Sequence, residues 1–267
     1  MLDRNCPLCK HPQSKQHVFT DNSWNVVKCS ACSMIYLKNP PDQSALFDEV
    51  AWEKTQVVER AKRRKNRKTY YFVSDGLKKL RRLILRGKRR EIEILNKLQP
   101  LPGSILDIGC GPGVSMSYLN TNKWTCFGIE PSPGLYLQAD VVCQLSGGYA
   151  LQDTAINGTK KFAANFFDVI HLRSFLEHDA YAKETLFECY RTLKSNGFVL
   201  IKVPNANCWN AKLREAGWPG VRHPDHVNYF TPDTLSKMLK ESGFSKLYFP
   251  LKWRLPTSDN MWVAAYK

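Results

Sequence analysis

The stretch SILDIGCGPGVSMSYL constrains this chain more than any other. Ser104 to Leu106 make an apolar, β-type run into Asp107, and Gly109, Gly111 and Gly113 follow just before a helical pattern. Glycine at every second position lets the main chain turn sharply out of a strand. It also lets a ligand approach the backbone closely at the start of the next helix. The dinucleotide fingerprint Gly-x-Gly-x-x-Gly would need a glycine at position 114, where Val114 stands, so the pattern is Asp-x-Gly-x-Gly-x-Gly. Seventeen residues past Gly113 the next β-type run, KWTCFGIE, ends in Glu130. A carboxylate there suits two hydrogen bonds from ribose hydroxyls.

Two further apolar runs, FFDVIHL and GFVLIKVPN, continue an alternation of strands with helical stretches over residues 99–203. That alternation predicts a parallel sheet with crossover helices. After a loop rich in Trp, His and Pro, TPDTLSKMLKESGF reads as a helix with Thr231 as N-cap and Gly243 as its stop. The β-type runs SKLYFPLKW and NMWVAAYK close the chain. We therefore divide it into a cysteine-bearing segment 1–41, a charged helical connector 42–98 and an α/β domain 99–267. No apolar stretch reaches the roughly 18 residues that a membrane span needs, and the N-terminus lacks an apolar signal-peptide core. The expected location is cytoplasmic.

Cys6-x2-Cys9 and Cys29-x2-Cys32 stand nineteen residues apart, a spacing that fits a four-cysteine zinc ribbon. Two residues between thiolates make a tight knuckle whose sulfurs reach adjacent corners of a tetrahedron. HVFT and WNVVKC supply a hairpin to bring the two knuckles together. Four protein ligands close the shell, so this zinc is expected to be structural. The other five of the nine cysteines are scattered singly among apolar residues and read as buried free thiols.

The net charge of +15 is local. Between Lys54 and Arg90 sixteen Lys or Arg face Glu59 and Asp75, a net of +14. Leu77, Leu80, Leu83 and Ile84 mark one apolar helical face among these cations. Three readings stay open: a solvated helix covering the domain, a helix drawn to an anionic membrane surface or glycan, and a phosphate-neutralising nucleic-acid contact. Basic and aromatic residues do not interleave as on an RNA-reading surface, so nucleic acid ranks below the membrane or glycan option.

At the glycine loop and Glu130 the chain resembles the class I S-adenosylmethionine-dependent methyltransferases. The resemblance implies a Rossmann-like, three-layer α/β/α core around a seven-stranded sheet. Asp107, Gly109, Cys110, Gly111 and Gly113 would cradle the cofactor's amino-acid end, Glu130 its ribose and Pro131 its adenine, with Leu172 and Arg173 also in the cofactor set. FDVIHLRSFLEHDAYAKETLFECYRTLKSNGFVLIKVPN is similar to the family's fourth strand, following helix and fifth strand. HPDHVNYFTPDTLSKMLKESGF resembles the His-x-x-x-Phe-Thr-Pro-x-Thr-Leu stretch of a bacterial subgroup whose members often carry a four-cysteine ribbon in front. Many of that subgroup look like glycan, lipid or natural-product tailoring enzymes. The implied acceptor is a hydroxyl of a sugar, lipid-linked glycan or small metabolite.

Methyl transfer to a hydroxyl needs an aligned nucleophile and a group that takes its proton, and histidine titrates in the useful range. His178, just past the end of a strand, is the first candidate; capping its helix or bonding a backbone carbonyl is the alternative. His226, at the subgroup's motif position, and His223 lie in the loop WPGVRHPDHVNYF, where anchoring the loop is the alternative. His171, inside a strand, reads as a core histidine. In quinone-biosynthesis relatives a similar Glu-His pair helps to bind a divalent metal together with a Glu three positions earlier. Ser174 stands at that position, so no catalytic metal is expected by resemblance. Two other readings were weighed: an RNA methyltransferase, which the core's lack of a base-methylating motif disfavours, and a non-catalytic binding module, which the intact Asp107, glycines and Glu130 disfavour.

Overall fold

The computed structural model describes residues 3–21, 23–41, 90–99, 101, 103–119, 123–249 and 256–267. Most of the basic segment 54–90, with all three readings attached to it, therefore lies outside the described residues. Two compact units are present: residues 1–42 with 103–267, and residues 43–102. Of the second, helix α1 (Arg90–Leu98) is described, with Glu91 and Glu93 in its first turn and Lys97 in its last, an order that complements the helix dipole. Among the described residues no helix is long and apolar enough to cross a membrane.

The first unit contains both sheets. A small antiparallel one begins with β1 (Ser14–Gln16), β2 (Val26–Cys29) and β3 (Ile35–Leu37). The HVFT run expected in this hairpin falls beyond β1, whose register pairs Ser14 with Cys29. Phe19 instead turns inward, its ring 5.3 Å from Tyr229 and 5.9 Å from Trp218. Burying an aromatic ring against two others outweighs extending a strand at a solvent edge.

The large sheet carries the α/β core. In chain order come β4 (Gly103–Ile108), one-turn helix α2 (Val114–Ser117), β5 (Trp124–Ile129), α3 (Pro133–Gln144), β6 (Ala150–Leu151), α4 (Ala155–Lys160) and β7 (Phe167–Arg173). There follow α5 (Ala182–Thr192), β8 (Leu193–Pro204), α6 (Trp209–Arg214), β9 (Asn228–Tyr229), α7 (Pro232–Glu241), β10 (Lys246–Tyr248) and β11 (Asn260–Tyr266). Seven strands lie in the order β10-β11-β8-β7-β4-β5-β6, and β11 alone runs against its neighbours. This is the Rossmann-like, three-layer arrangement expected. The strands β4, β5, β7 and β8 are parallel, so their C-terminal ends open on one edge, where ligands bind in such sheets. Helix α7 starts as expected: Thr231 accepts from the Thr234 amide at 3.2 Å and Thr234 Oγ1 from the Thr231 amide at 2.9 Å, a reciprocal cap.

Strand β9 belongs to the small sheet, not the large one. It pairs with β3, Ile35 with Tyr229 and Tyr36 with Asn228. The cysteine-bearing segment thus shares a sheet with the loop that precedes α7. Its Leu8, Met34 and Tyr36 join the same apolar cluster as Leu186, Leu235 and Phe230 of the α/β core. Arg4 ties the join together, donating to the carbonyls of Leu37, Ala180 and Val227 and to Asn228 Oδ1.

Candidate active site

The glycine loop leaves β4 with Gly109, Gly111 and Gly113 at φ of 69°, 55° and 78°, the left-handed region that side chains resist. At Gly109 a Cβ would stand 2.6 Å from the Phe175 ring, whereas at Gly111 it would meet nothing within 4 Å. Space is therefore kept open in front of Gly111. The helix behind the loop is a single turn, so the cradle is made by the loop backbone itself. Glu130, 8% exposed at the end of β5, accepts from the Gly111 amide at 2.9 Å through Oε2 and from the Ser132 amide at 3.0 Å through Oε1. Glu130 thus fixes the loop where it leaves the sheet. An open cradle lined by main chain, with an acid beside it, fits the amino-acid and ribose parts of S-adenosylmethionine.

The other residues of the expected cofactor set divide. Asp107 is buried at the end of β4, beside His171, and Pro131 is half-buried after Glu130. Cys110 is buried beneath the loop. Its sulfur lies 2.9 Å from where a Cβ on Gly128 would be, and burial pushes its thiol well above the ordinary range. It is a packing group. Leu172 spends its side chain in the apolar core, while Arg173 is exposed at the end of β7.

Beyond β7 the chain places Glu177, His178 and His226 together, one ligand atom of each lying within 4.8 Å of the others. The main chain explains the meeting. The amides of Val227 and Asn228 both donate to the Glu177 carbonyl, at 2.8 and 3.1 Å, and Asn228 Nδ2 donates to the carbonyls of Leu176 and Asp179. The His178 and His226 rings sit edge to face at 4.7 Å. Burial raises the Glu177 carboxyl to about 7, against smaller opposing pulls from its own backbone amide and from Lys202 and Arg222. Burial also lowers His178 to about 4, with Arg222 adding to the shift. His223 stands apart from this group. Its Nε2 donates to the Phe19 carbonyl at 2.9 Å and its Nδ1 accepts from the Tyr229 hydroxyl at 3.1 Å, which makes it an anchor of the loop against the cysteine-bearing segment.

The four thiols of Cys6, Cys9, Cys29 and Cys32 also converge. Cys6 Sγ lies 3.4 Å from Cys32 Sγ, and Cys9 Sγ lies 3.6 Å from Cys29 Sγ. Corners of a tetrahedron with bonds of about 2.3 Å are roughly 3.8 Å apart, so the donor set fits a zinc ion with little adjustment. Both knuckles close alike, with Lys10 and Ser33, each one residue past the second cysteine, at φ of 59° and 63°.

The sequence profile described as a methyltransferase domain matches residues 76–248. The chain belongs to this methyltransferase family. Solved structures agree on the fold. An S-adenosylmethionine-dependent methyltransferase of Archaeoglobus fulgidus superposes with a TM-score of 0.53 at 19% identity, over 70% of this chain and 98% of that one. A Listeria monocytogenes protein assigned to the same class gives 0.51 at 18% identity, over 66% and 96%. No curated protein matches by sequence. The enzyme is thus an S-adenosylmethionine-dependent methyltransferase with the Rossmann-like core that its glycine loop suggests.

Glu177 was not among the candidate site residues read from the sequence of this methyltransferase. It entered only as half of a Glu-His pair whose metal role Ser174 disfavoured, because adjacent residues in a loop carry no periodicity that says which one faces inward. The pairing of β3 with β9 was equally hidden, and that pairing carries His226 to Glu177.

Proposed function

We propose that this methyltransferase transfers the cofactor's methyl group to a hydroxyl of a sugar, a lipid-linked glycan or another small metabolite. The observation that carries this reading is the buried polar cluster Glu177–His178–His226 at the carboxyl edge of the sheet, one loop away from the glycine cradle. When bound, S-adenosylmethionine would supply an electrophilic methyl group that an acceptor oxygen could attack in line, the carbon–sulfur bond breaking with its electron pair left on sulfur.

The chain's own groups do the rest. Asp107 and the open loop of Gly109, Gly111 and Gly113 hold the amino-acid end, Glu130 the ribose and Pro131 the adenine, with Arg173 at the rim. His178 and His226, beside Glu177, receive the acceptor hydroxyl and manage its proton. Phe175, packed on Gly109 two residues before Glu177, fixes the distance between cradle and cluster. The ribbon, with its zinc, walls the acceptor side through Arg4 and β3. The protein works in the cytoplasm, and the basic segment 54–90 would bring it to the inner face of the membrane or to an anionic glycan.

Calorimetry with S-adenosylmethionine tests the cradle. We expect micromolar-range binding that is lost in Asp107→Ala and Glu130→Ala. Unchanged affinity in both variants would show that the cofactor sits elsewhere. Transfer of labelled methyl to a panel of nucleotide sugars, lipid-linked oligosaccharides and RNA then tests the acceptor class, and labelling of RNA alone would overturn it.

A further inference from the structure

A cavity of about 430 Å³ opens between the cysteine-bearing segment and the start of helix α7. Neither the cofactor cradle nor the Glu177 cluster contributes a residue to it. Ile35 of β3, Ala206 just past β8 and Ala211 of α6 give it a buried apolar side. Its polar side has Lys28 of β2, Lys212 of α6, Lys237 of α7 and His17, against the one carboxylate of Asp233. The volume is that of a small-ligand site.

The charge there is unbalanced. Among the described residues neither Lys28 nor Lys212 is in an ion pair, and Lys237 reaches Glu241 only at 4.0 Å. Lys28 also stands directly across from Lys15 in the register of β1 with β2, and like charges opposed on a strand pair disfavour folding. Three ammonium groups against one carboxylate leave a surplus of two positive charges around the cavity. An anion inside it would offset that repulsion.

His17 adds a directed donor. Burial, with Lys28 contributing, lowers its pKa, so the ring is neutral at neutral pH. Its Nδ1 accepts from the Phe19 amide at 3.3 Å. Nε2 therefore carries the hydrogen, and among the described residues nothing accepts it.

We propose that this cavity binds the diphosphate of the methyl acceptor. Lysine acts as a point charge on phosphate oxygens, and a diphosphate offers several of them to separate lysines at once. A carboxylate would offset half of the surplus, whereas a diphosphate that links two groups carries one charge on each phosphate and matches it. The cavity is also suitably placed. Ala206 follows the carboxyl end of β8, on the edge where the cradle opens. Phe19, in the cavity wall, holds His223 through its carbonyl, three residues before His226 in the same loop. This inference deepens the proposed function and rests on it for the link to methyl transfer. A diphosphate is common to nucleotide-linked sugars and lipid-linked glycans, two sources that competition separates.

The test reads binding and needs no methyl transfer. The full chain, with zinc in its ribbon, is titrated calorimetrically with inorganic pyrophosphate. Uridine diphosphate glucose and a short-chain prenyl diphosphate glucose then serve as competitors. We expect pyrophosphate to bind at low salt, and to bind about tenfold more weakly to Lys28→Glu and to Lys212→Glu. Lys160→Glu, which does not touch the cavity lining, should leave the affinity unchanged. All three lysines are exposed, so the variants should fold, and melting curves on the same samples check this. Displacement by the uridine compound supports a nucleotide-linked source, displacement by the prenyl compound a lipid-linked one, and displacement by both a site that reads the diphosphate itself. No pyrophosphate binding, an equal loss in Lys160→Glu, or displacement by neither compound would overturn the proposal. Failure of the methyl-acceptor reading would appear instead as normal diphosphate binding with no methyl labelling of either compound.

Discussion

His171 Nδ1 stands 3.2 Å from Asp107 Oδ1, and the two residues are direct register partners across β4 and β7. Both are buried, and the pair is close without being aligned as a hydrogen bond, since neither ring nitrogen of His171 finds a partner in good geometry. The imidazole also lies parallel to the Trp262 ring, 6.5 Å away. His171 is thus a positioning residue for the acid at the head of the glycine loop. Replacing it by phenylalanine keeps the ring on Trp262 and removes the polar contact. We expect His171→Phe to fold and to bind S-adenosylmethionine about tenfold more weakly, a loss of ~1.4 kcal/mol. Calorimetry checks this, and an unchanged dissociation constant would reduce His171 to core packing.

The glycines of the loop separate stability from binding. At Gly109 a methyl group would strike Phe175, while at Gly111 it would enter open space. Both substitutions to alanine meet the left-handed backbone cost of about 1–2 kcal/mol. We expect Gly111→Ala to lower the melting temperature by only a few degrees yet to lose most cofactor affinity, because its methyl fills the cradle. Gly109→Ala should destabilise more through displacement of Phe175. Melting curves and cofactor titrations on the two variants check the order; normal binding by Gly111→Ala would mean that the open space is not the cofactor's.

Much of the α/β core was legible because its signals are local. The runs around Leu106, Phe127, Ile170 and Leu200 are continuous and apolar, as strands covered on both faces must be, and Thr231 and Gly243 bracket α7 by capping chemistry alone. The candidate site was legible only in part. Asp107, the glycines and Glu130 lie within one strand-turn-helix-strand unit, so spacing gave them away. Glu177 and His226 are joined by backbone bonds between two loops, and His223 was drawn toward Phe19 by the same two-residue strand β9. No sequence periodicity encodes a pairing of two residues across nearly two hundred.

Because Leu8, Cys6, Cys29 and Met34 belong to the same apolar cluster as the sheet and α5, the ribbon's metal should support the whole first unit. Zinc in such a site contributes folding free energy directly. We expect one zinc per chain by elemental analysis. A strong chelator, or Cys29→Ser, should lower the melting temperature in one cooperative transition, with S-adenosylmethionine binding lost alongside. Two separate transitions, with the α/β core melting as before, would show that the ribbon folds on its own.

Asp168 ties three strands at the opposite end of the sheet from the cradle. Its Oδ2 accepts from the Ser104 amide at 2.8 Å, from Ser104 Oγ at 3.1 Å and from Lys194 Nζ at 2.8 Å, linking β7 to β4 and β8. Burial alone would raise this carboxyl, but the donors from Lys194 and Ser104 prevail and hold it below its ordinary value of 3.8. A carboxyl depressed in the folded state stabilises above its unfolded pKa, and that contribution disappears as pH falls through the lower folded value. We expect Asp168→Asn to cost about 1–3 kcal/mol near neutral pH. The difference from wild type should shrink steadily below about pH 4. Urea unfolding of both proteins between pH 3 and pH 7 checks the sign, and a stability difference that stays constant across that range would show that the charge on Asp168 contributes nothing beyond its shape.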